Sequence, residues 1–273
     1  MKRLLKADIY RVLKNKLSLI ALILAVAFPL LIVLMYAGIR AVSGLSGEEG
    51  ADILFNANSI IGSVYSLTNN LGLVIPAFAG ILVCSDFSNG TLRNKIIAGN
   101  RRVEIYFSHL IVSILFSVAI ITIYAAATAG FALIFFPFTR DPSLNMGLEI
   151  MYFVLNGTMA FAFIATVSTM FAMLFRSAAP TIIFTVVFAV ALMAINTVVM
   201  LIDYEKFKYA VYFIPTFAGN IFNLNNFSII GMLSQTADTS RGLIFAEAML
   251  SYLFFGAVNT GIGLLVFGKR DVK

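Results

Sequence analysis

The sequence predicts an all-α polytopic membrane protein with six transmembrane helices and both termini on the cytoplasmic side. Three observations carry that prediction: an apolar excess, six long apolar runs, and a lopsided distribution of basic residues. Of 273 residues, 60% are hydrophobic and only 12% are charged, with a mean hydropathy of +0.97. A soluble domain carries about 25% charged residues and could not hide this much apolar surface. At about 20 residues per crossing, the length holds six helices and modest loops, with no room for a soluble catalytic domain. The chain is read as a single transmembrane domain over 1–273.

The elements follow in order. Residues 1–16 carry six basic residues and one acid. Leu5, Ile9, Val12 and Leu13 fall on one helical face, and Arg3, Arg11 and Lys14 on the other. That pattern predicts an amphipathic helix lying on the anionic inner leaflet. The first span covers 17–39; its apolar run is longer than the core of a secretory signal, and Pro29 is expected to kink it. A Gly/Ser loop over 40–59 leads to a second span at about 60–84, polar in its first half and interrupted by Pro76. Span three is 105–136, span four about 148–175, span five 181–202 and span six about 243–267. The intervening stretch 203–241 is too long for a simple turn and rich in Phe and Tyr, which predicts short re-entrant helices at the outer interface.

Orientation follows from charge. With both termini and residues 85–104 inside, 14 of the 19 Lys and Arg face the cytoplasm and 5 face outward, against 4 and 9 acids. The overall +6 therefore divides into +10 inside and −4 outside, a strong positive-inside signature rather than a nucleic-acid-binding one.

Residues 85–104 are the one short internal segment dense in charge, with Asp86, Arg93, Lys95, Arg101, Arg102 and Glu104. Asp86 or Ser88 can cap a short helix, and Gly99 can end it in a left-handed conformation ahead of Asn100. Leu92 and Ile96 share a face at i, i+4, and Arg93 and Lys95 are expected to point elsewhere. The result is a roughly ten-residue helix about 15 Å long.

Several strings imitate catalytic motifs and fail on their context. Gly263 to Lys269 matches the front of a phosphate-binding loop, but Arg270 stands where Ser or Thr must hold magnesium. Gly44-Leu45-Ser46-Gly47 resembles an intramembrane serine protease motif, yet His109, the only histidine, would lie about 30 Å away across the bilayer. No HExxH or Cys/His cluster exists, and Cys84 is the only cysteine. No catalytic residue, metal site or cofactor is therefore assigned to this chain. Polar residues inside the spans are Asn156, Asn196, Asn259 and, a few residues into span six, Glu247. They either line a path or glue helices together, the latter at about 0.6 kcal/mol each.

Asp86, the run Gly90-Thr91-Leu92-Arg93, and Gly99 with Arg101 ahead of Ile105-Tyr106 resemble the cytoplasmic loop of ABC type-2 exporter permeases, in the bacterial peptide or antibiotic export and immunity branch. The basic N-terminal helix, the six spans and Pro215-Thr216 before span six agree, so the resemblance covers nearly the whole chain. His109 stands where the pattern has a basic or amide residue. The resemblance implies a membrane subunit in a homodimer or heterodimer of permeases in the bacterial cytoplasmic membrane, working with two copies of a separate ABC ATPase that holds ATP and magnesium. It implies that Gly90 to Ala98 is the coupling helix docked in the ATPase groove, with Asp86, Gly90, Thr91, Leu92, Arg93, Lys95, Ile96, Gly99, Arg101 and Arg102 as coupling residues. Spans rich in Phe, Met and Ala suit hydrophobic or amphipathic cargo, such as a peptide toxin or bacteriocin. The alternatives are a lipophilic drug-efflux permease of the same family, or a motor-independent secondary transporter.

Overall fold

The computed structural model describes residues 1–42, 56–65, 74–138, 146–201, 213–217 and 241–269. Every regular element among them is a helix: α1 (Lys2–Lys14), α2 (Lys16–Val42), α3 (Ala57–Gly62), α4 (Val74–Ser88), α5 (Thr91–Ile97), α6 (Arg102–Phe135), α7 (Met146–Phe175), α8 (Ala178–Leu201) and α9 (Arg241–Lys269). Five of these, α2 and α6 to α9, are long and apolar enough to cross a membrane. They match five of the six predicted spans. The remaining prediction, at about 60–84, falls on α3 and α4, and residues 66–73 between them lie outside the described residues. So does most of the predicted outer stretch 203–241.

α7 is the central helix and the most buried of the five. Small and hydroxylated residues let its neighbours approach: Ala160, Ala165, Ala172, Ser168 and Thr169 are buried along it. A Cβ at Gly157 would run into the Tyr65 ring, and one at Gly80 of α4 would lie 2.7 Å from both Ser168 Oγ of α7 and Thr181 Cγ2 of α8. The peripheral α2 behaves oppositely. Only Ala21, Ala25, Pro29 and Val33, a four-residue repeat, are buried, and they form a seam toward α6. Leu19, Ile23, Leu31 and Met35 remain exposed, as expected of a helix bathed in lipid.

Three buried clusters stack along the bundle. The largest runs through α2, α6, α7, α8 and α9. A second closes one end, joining Leu4 of α1, Val83 and Cys84 of α4, Leu92 of α5, Tyr106 of α6, Met173 of α7 and Phe267 of α9. The third, with Val33, Ile60, Ala132 and Phe136, joins α2, α3 and α6 away from that end. Residues 213–217 wedge between α8 and α9. Asn196 Nδ2 donates to Thr216 Oγ1 at 2.7 Å, and Ser251 Oγ donates to the Phe213 carbonyl at 2.8 Å.

Candidate functional site

The end closed by the second cluster holds both α1 and α5, and its polar residues converge there. Gly90, in the left-handed region at φ 66°, turns the chain out of α4 and serves as the N-cap of α5. The predicted caps do other work. Asp86 is fully buried and turned away from the helix start, and Ser88 Oγ bonds the Ser85 carbonyl within α4. Thr91 Oγ1 donates to the Asp86 carbonyl at 3.2 Å, bracing the turn. At the other end the expectation holds. Gly99 is left-handed at φ 83°, its N–H bonds the Ile96 carbonyl, and the Asn100 N–H bonds the Lys95 carbonyl at 3.3 Å. This is a Schellman closure, reinforced by Asn100 Nδ2 on the same Lys95 carbonyl at 3.0 Å.

Lys95 sits at the centre of a buried ionic node. Its Nζ donates to Asp8 Oδ1 of α1 at 2.7 Å and to Asp86 Oδ2 of α4 at 2.8 Å. Ser108 Oγ of α6 donates to Asp8 Oδ2 at 2.7 Å. Arg11 of α1 pairs with Asp86 and stands 3.8 Å from Asp8. His109 Nε2 of α6 lies 3.1 Å from Asp86 and 3.4 Å from Lys95 Nζ. Neutral imidazole can donate to the one or accept from the other, not both. Two carboxylates face one ammonium and one guanidinium, so the node balances with His109 neutral. Balance is what permits burial, since an unpaired interior charge is prohibitive. Four helices, α1, α4, α5 and α6, are thereby tied at one point.

The local electrostatics follow from this crowding. Burial alone would raise the Asp8 carboxyl, but the hydrogen bonds from Lys95 and Ser108 and the adjacent positive charge hold it below the ordinary carboxylate range. Burial pulls the Lys95 ammonium below its ordinary value, against the opposing pull of Asp8. Burial also lowers Arg11, again partly offset by Asp8.

The predicted coupling residues thus separate by the direction they face. Asp86, Leu92 and Lys95 face inward, and Ile96 is half-buried against the core. Arg93, Gly99 and Arg101 are exposed, beside exposed Asn94 and Ala98 and with Ile97 73% exposed. Arg102 turns to α9, where Nη1 donates to the Gly268 carbonyl at 3.0 Å. That is favourable placement for a cation at a helix C-terminus. Lys95 was expected to point away from Leu92; 3.6 residues per turn instead place 92, 95 and 96 on one arc.

The intramembrane polar residues are not gathered. Asn156 and Asn196 are buried on α7 and α8, each with Oδ1 unpartnered, whereas Asn259 is half-buried on α9. Glu247 is half-buried near the start of α9. Residues missed by the sequence reading are Asp8, Arg11, Ser108 and His109. One signal was available for Asp8. Leu4, Asp8 and Val12, the buried residues of α1, repeat every fourth position, so a lone acid stands within an apolar stripe. Among the described residues no group of His, Cys, Asp and Glu could hold a metal.

A bundle with five helices long and apolar enough to cross a membrane defines an integral multi-pass membrane protein. The sequence model of the ABC-2 family transporter proteins matches residues 4–192, which take in most of α1, the whole node and the first 15 of the 24 residues of α8. The chain belongs to that family, whose members are membrane components of ABC transporters and work with an ABC ATPase subunit. No curated protein matches the chain.

Proposed function

We propose that this chain is the permease subunit of an ABC exporter, that α5 is the helix received by a separate ATPase, and that the cargo is hydrophobic or amphipathic, an amphipathic peptide above all. The observation that carries the reading is the division of α5 into two faces. One is clamped by Lys95 and Leu92 to α1, α4 and α6; the other offers Arg93, Asn94 and Ile97 to a partner. A lever must be stiff at its root and bare at its tip, and ATP does work only if its bound state favours one conformation over another. On this reading both termini and the node are cytoplasmic, consistent with the predominance of basic residues at that end. Two permeases, identical or paired with a sister, complete the transporter.

Cargo is argued from composition. The five long helices present Phe, Leu and Val to their surroundings, and the described spans carry little fixed charge. Lipophilic drug efflux rests on the same feature. A motor-independent secondary transporter calls for ion-coupling carboxylates deep in the spans; the described acids lie instead at the node or near helix ends. The test is co-expression with a candidate ATPase. Arg93→Glu with Arg101→Glu, or Gly90→Pro, is expected to abolish substrate-stimulated ATP hydrolysis while membrane insertion persists. Normal coupling in those variants would remove α5 from the assigned role.

A further inference from the structure

We propose that the groove between α1, α2 and α6 is a binding site for one acyl chain of an anionic phospholipid, whose headgroup is held at the break between α1 and α2. The groove has a volume of about 470 Å³ and is walled by Ile9 and Val12 of α1, Leu22 of α2, and Val112, Phe116 and Ile120 of α6. That lies within the size range of small-ligand sites, roughly 300–1,000 Å³. No charged side chain lines it.

Two independent features at its mouth point to an amphiphile rather than to a plain lipid-facing crevice. The first is Ser18, which lines the groove and whose buried hydroxyl has no partner. Helical hydroxyls ordinarily bond back to a carbonyl three or four residues earlier, as Thr122, Thr128 and Thr185 do here. Ser18 does not, and an orphaned hydroxyl beneath the polar end of a groove suits the ester carbonyl of a glycerolipid. The second is charge. The chain breaks at Asn15, in extended conformation, between Lys14 and Lys16, both exposed. Exposed Lys2, Arg3 and Lys6 precede them, and neither α1 nor α2 has an acid in its first turn. The acids beside α1 are engaged: Asp8 and Asp86 with Lys95 and Arg11, and Glu104 with the amino group of Met1. A basic rim, one spare hydroxyl and an apolar trough are arranged in the order of phosphate, ester and acyl chain. A second copy of the chain would have no use for a positive mouth on an apolar trough.

The chain contains no tryptophan, so a single introduced indole reports on lipid directly. Leu19→Trp places it on the rim of the groove; Val187→Trp on exposed α8 is the control for general lipid contact. The full chain is reconstituted in phosphatidylcholine vesicles containing a minor fraction of acyl-brominated phosphatidylglycerol or acyl-brominated phosphatidylcholine. Leu19→Trp is expected to be quenched at roughly thirtyfold lower mole fraction of the anionic lipid, the factor that two lysines near a headgroup provide at about 1 kcal/mol each. Val187→Trp is expected to show no preference. Lys14→Gln with Lys16→Gln in the Leu19→Trp background should erase the preference, Lys14→Arg with Lys16→Arg should keep it, and Ala119→Phe should reduce quenching by filling the trough. Equal quenching by the two lipids at Leu19, an equal preference at Val187, or a preference indifferent to the lysines would each overturn the site. So would stronger quenching by a brominated amphipathic peptide than by phosphatidylglycerol. None of these readouts involves the ATPase, so the site stands or falls apart from the proposed function.

Discussion

Replacing Lys95 with Met is the sharpest test of the node. Methionine keeps the length and apolar stem of lysine but removes the ammonium that bridges Asp8 and Asp86. Asp86 is fully buried and Asp8 nearly so. Removing one partner of a buried ion pair costs about 3–5 kcal/mol because the other charge stays behind. Arg11 remains near both carboxylates and its side chain is 34% exposed, so it can shift to cover part of the loss. The lower end, about 3 kcal/mol, is therefore expected, which is roughly 150-fold in the docking equilibrium of α1. The assay is maleimide labelling of Leu4→Cys in a Cys84→Ala background. Leu4 is buried against the second cluster, so labelling reports release of α1. Lys95→Met should accelerate labelling by about two orders of magnitude. The quadruple change Asp8→Leu, Arg11→Met, Asp86→Leu, Lys95→Met should restore slow labelling, since apolar residues of similar volume replace such networks at little loss when no charge is left unpaired. Unchanged labelling in Lys95→Met would refute the claim that this node holds α1 to α5.

Acid should release α1 in a defined window. A carboxyl whose folded value is depressed contributes stability that is present above its unfolded value, near 3.8, and is lost as pH falls through the lower folded value. Hydrogen exchange in α1 should thus be flat in pH across the neutral range, after correction for intrinsic rates, and rise only below about pH 4; Asp8→Asn should abolish that dependence. Gly157→Ala should destabilise by about 1–3 kcal/mol, because its Cβ meets the Tyr65 ring, whereas Gly130→Ala meets nothing and should be neutral or stabilising in the same detergent melts. Asn196→Leu, which deletes the bond to Thr216, should cost about 0.6 kcal/mol in that assay.

The helices were legible in the sequence because their causes are local. Apolar length marked α2 and α6 to α9, and Gly99 marked the closure just past α5, although the helix spans seven residues, Thr91–Ile97, rather than about ten. What was not legible was the direction in which short helices face. Asp86 has the chemistry of a cap, yet a cap needs solvent-side geometry that Gly90 already supplies by its left-handed turn. The charge of Lys95 favours an outward position, whereas its angular position beside Leu92 and Ile96 favours an inward one. The paired carboxylates of Asp86, nine residues back, and of Asp8, 87 residues away, make an inward lysine tolerable. Nothing short of the packed bundle tells that Ser108 and His109, at the start of an ordinary apolar span, complete the same node.

The two extremities of the described chain meet at one pole. The amino group of Met1 lies 3.9 Å from Glu104, and the last turn of α9 is clasped through Gly268 by Arg102. Both landmarks belong to the first turn of α6, directly after the loop that carries α5. A bulky affinity handle at either extremity would therefore crowd the surface where an incoming subunit is expected to land. Cargo-transport or reconstitution work on this protein is better served by a small epitope placed away from that pole.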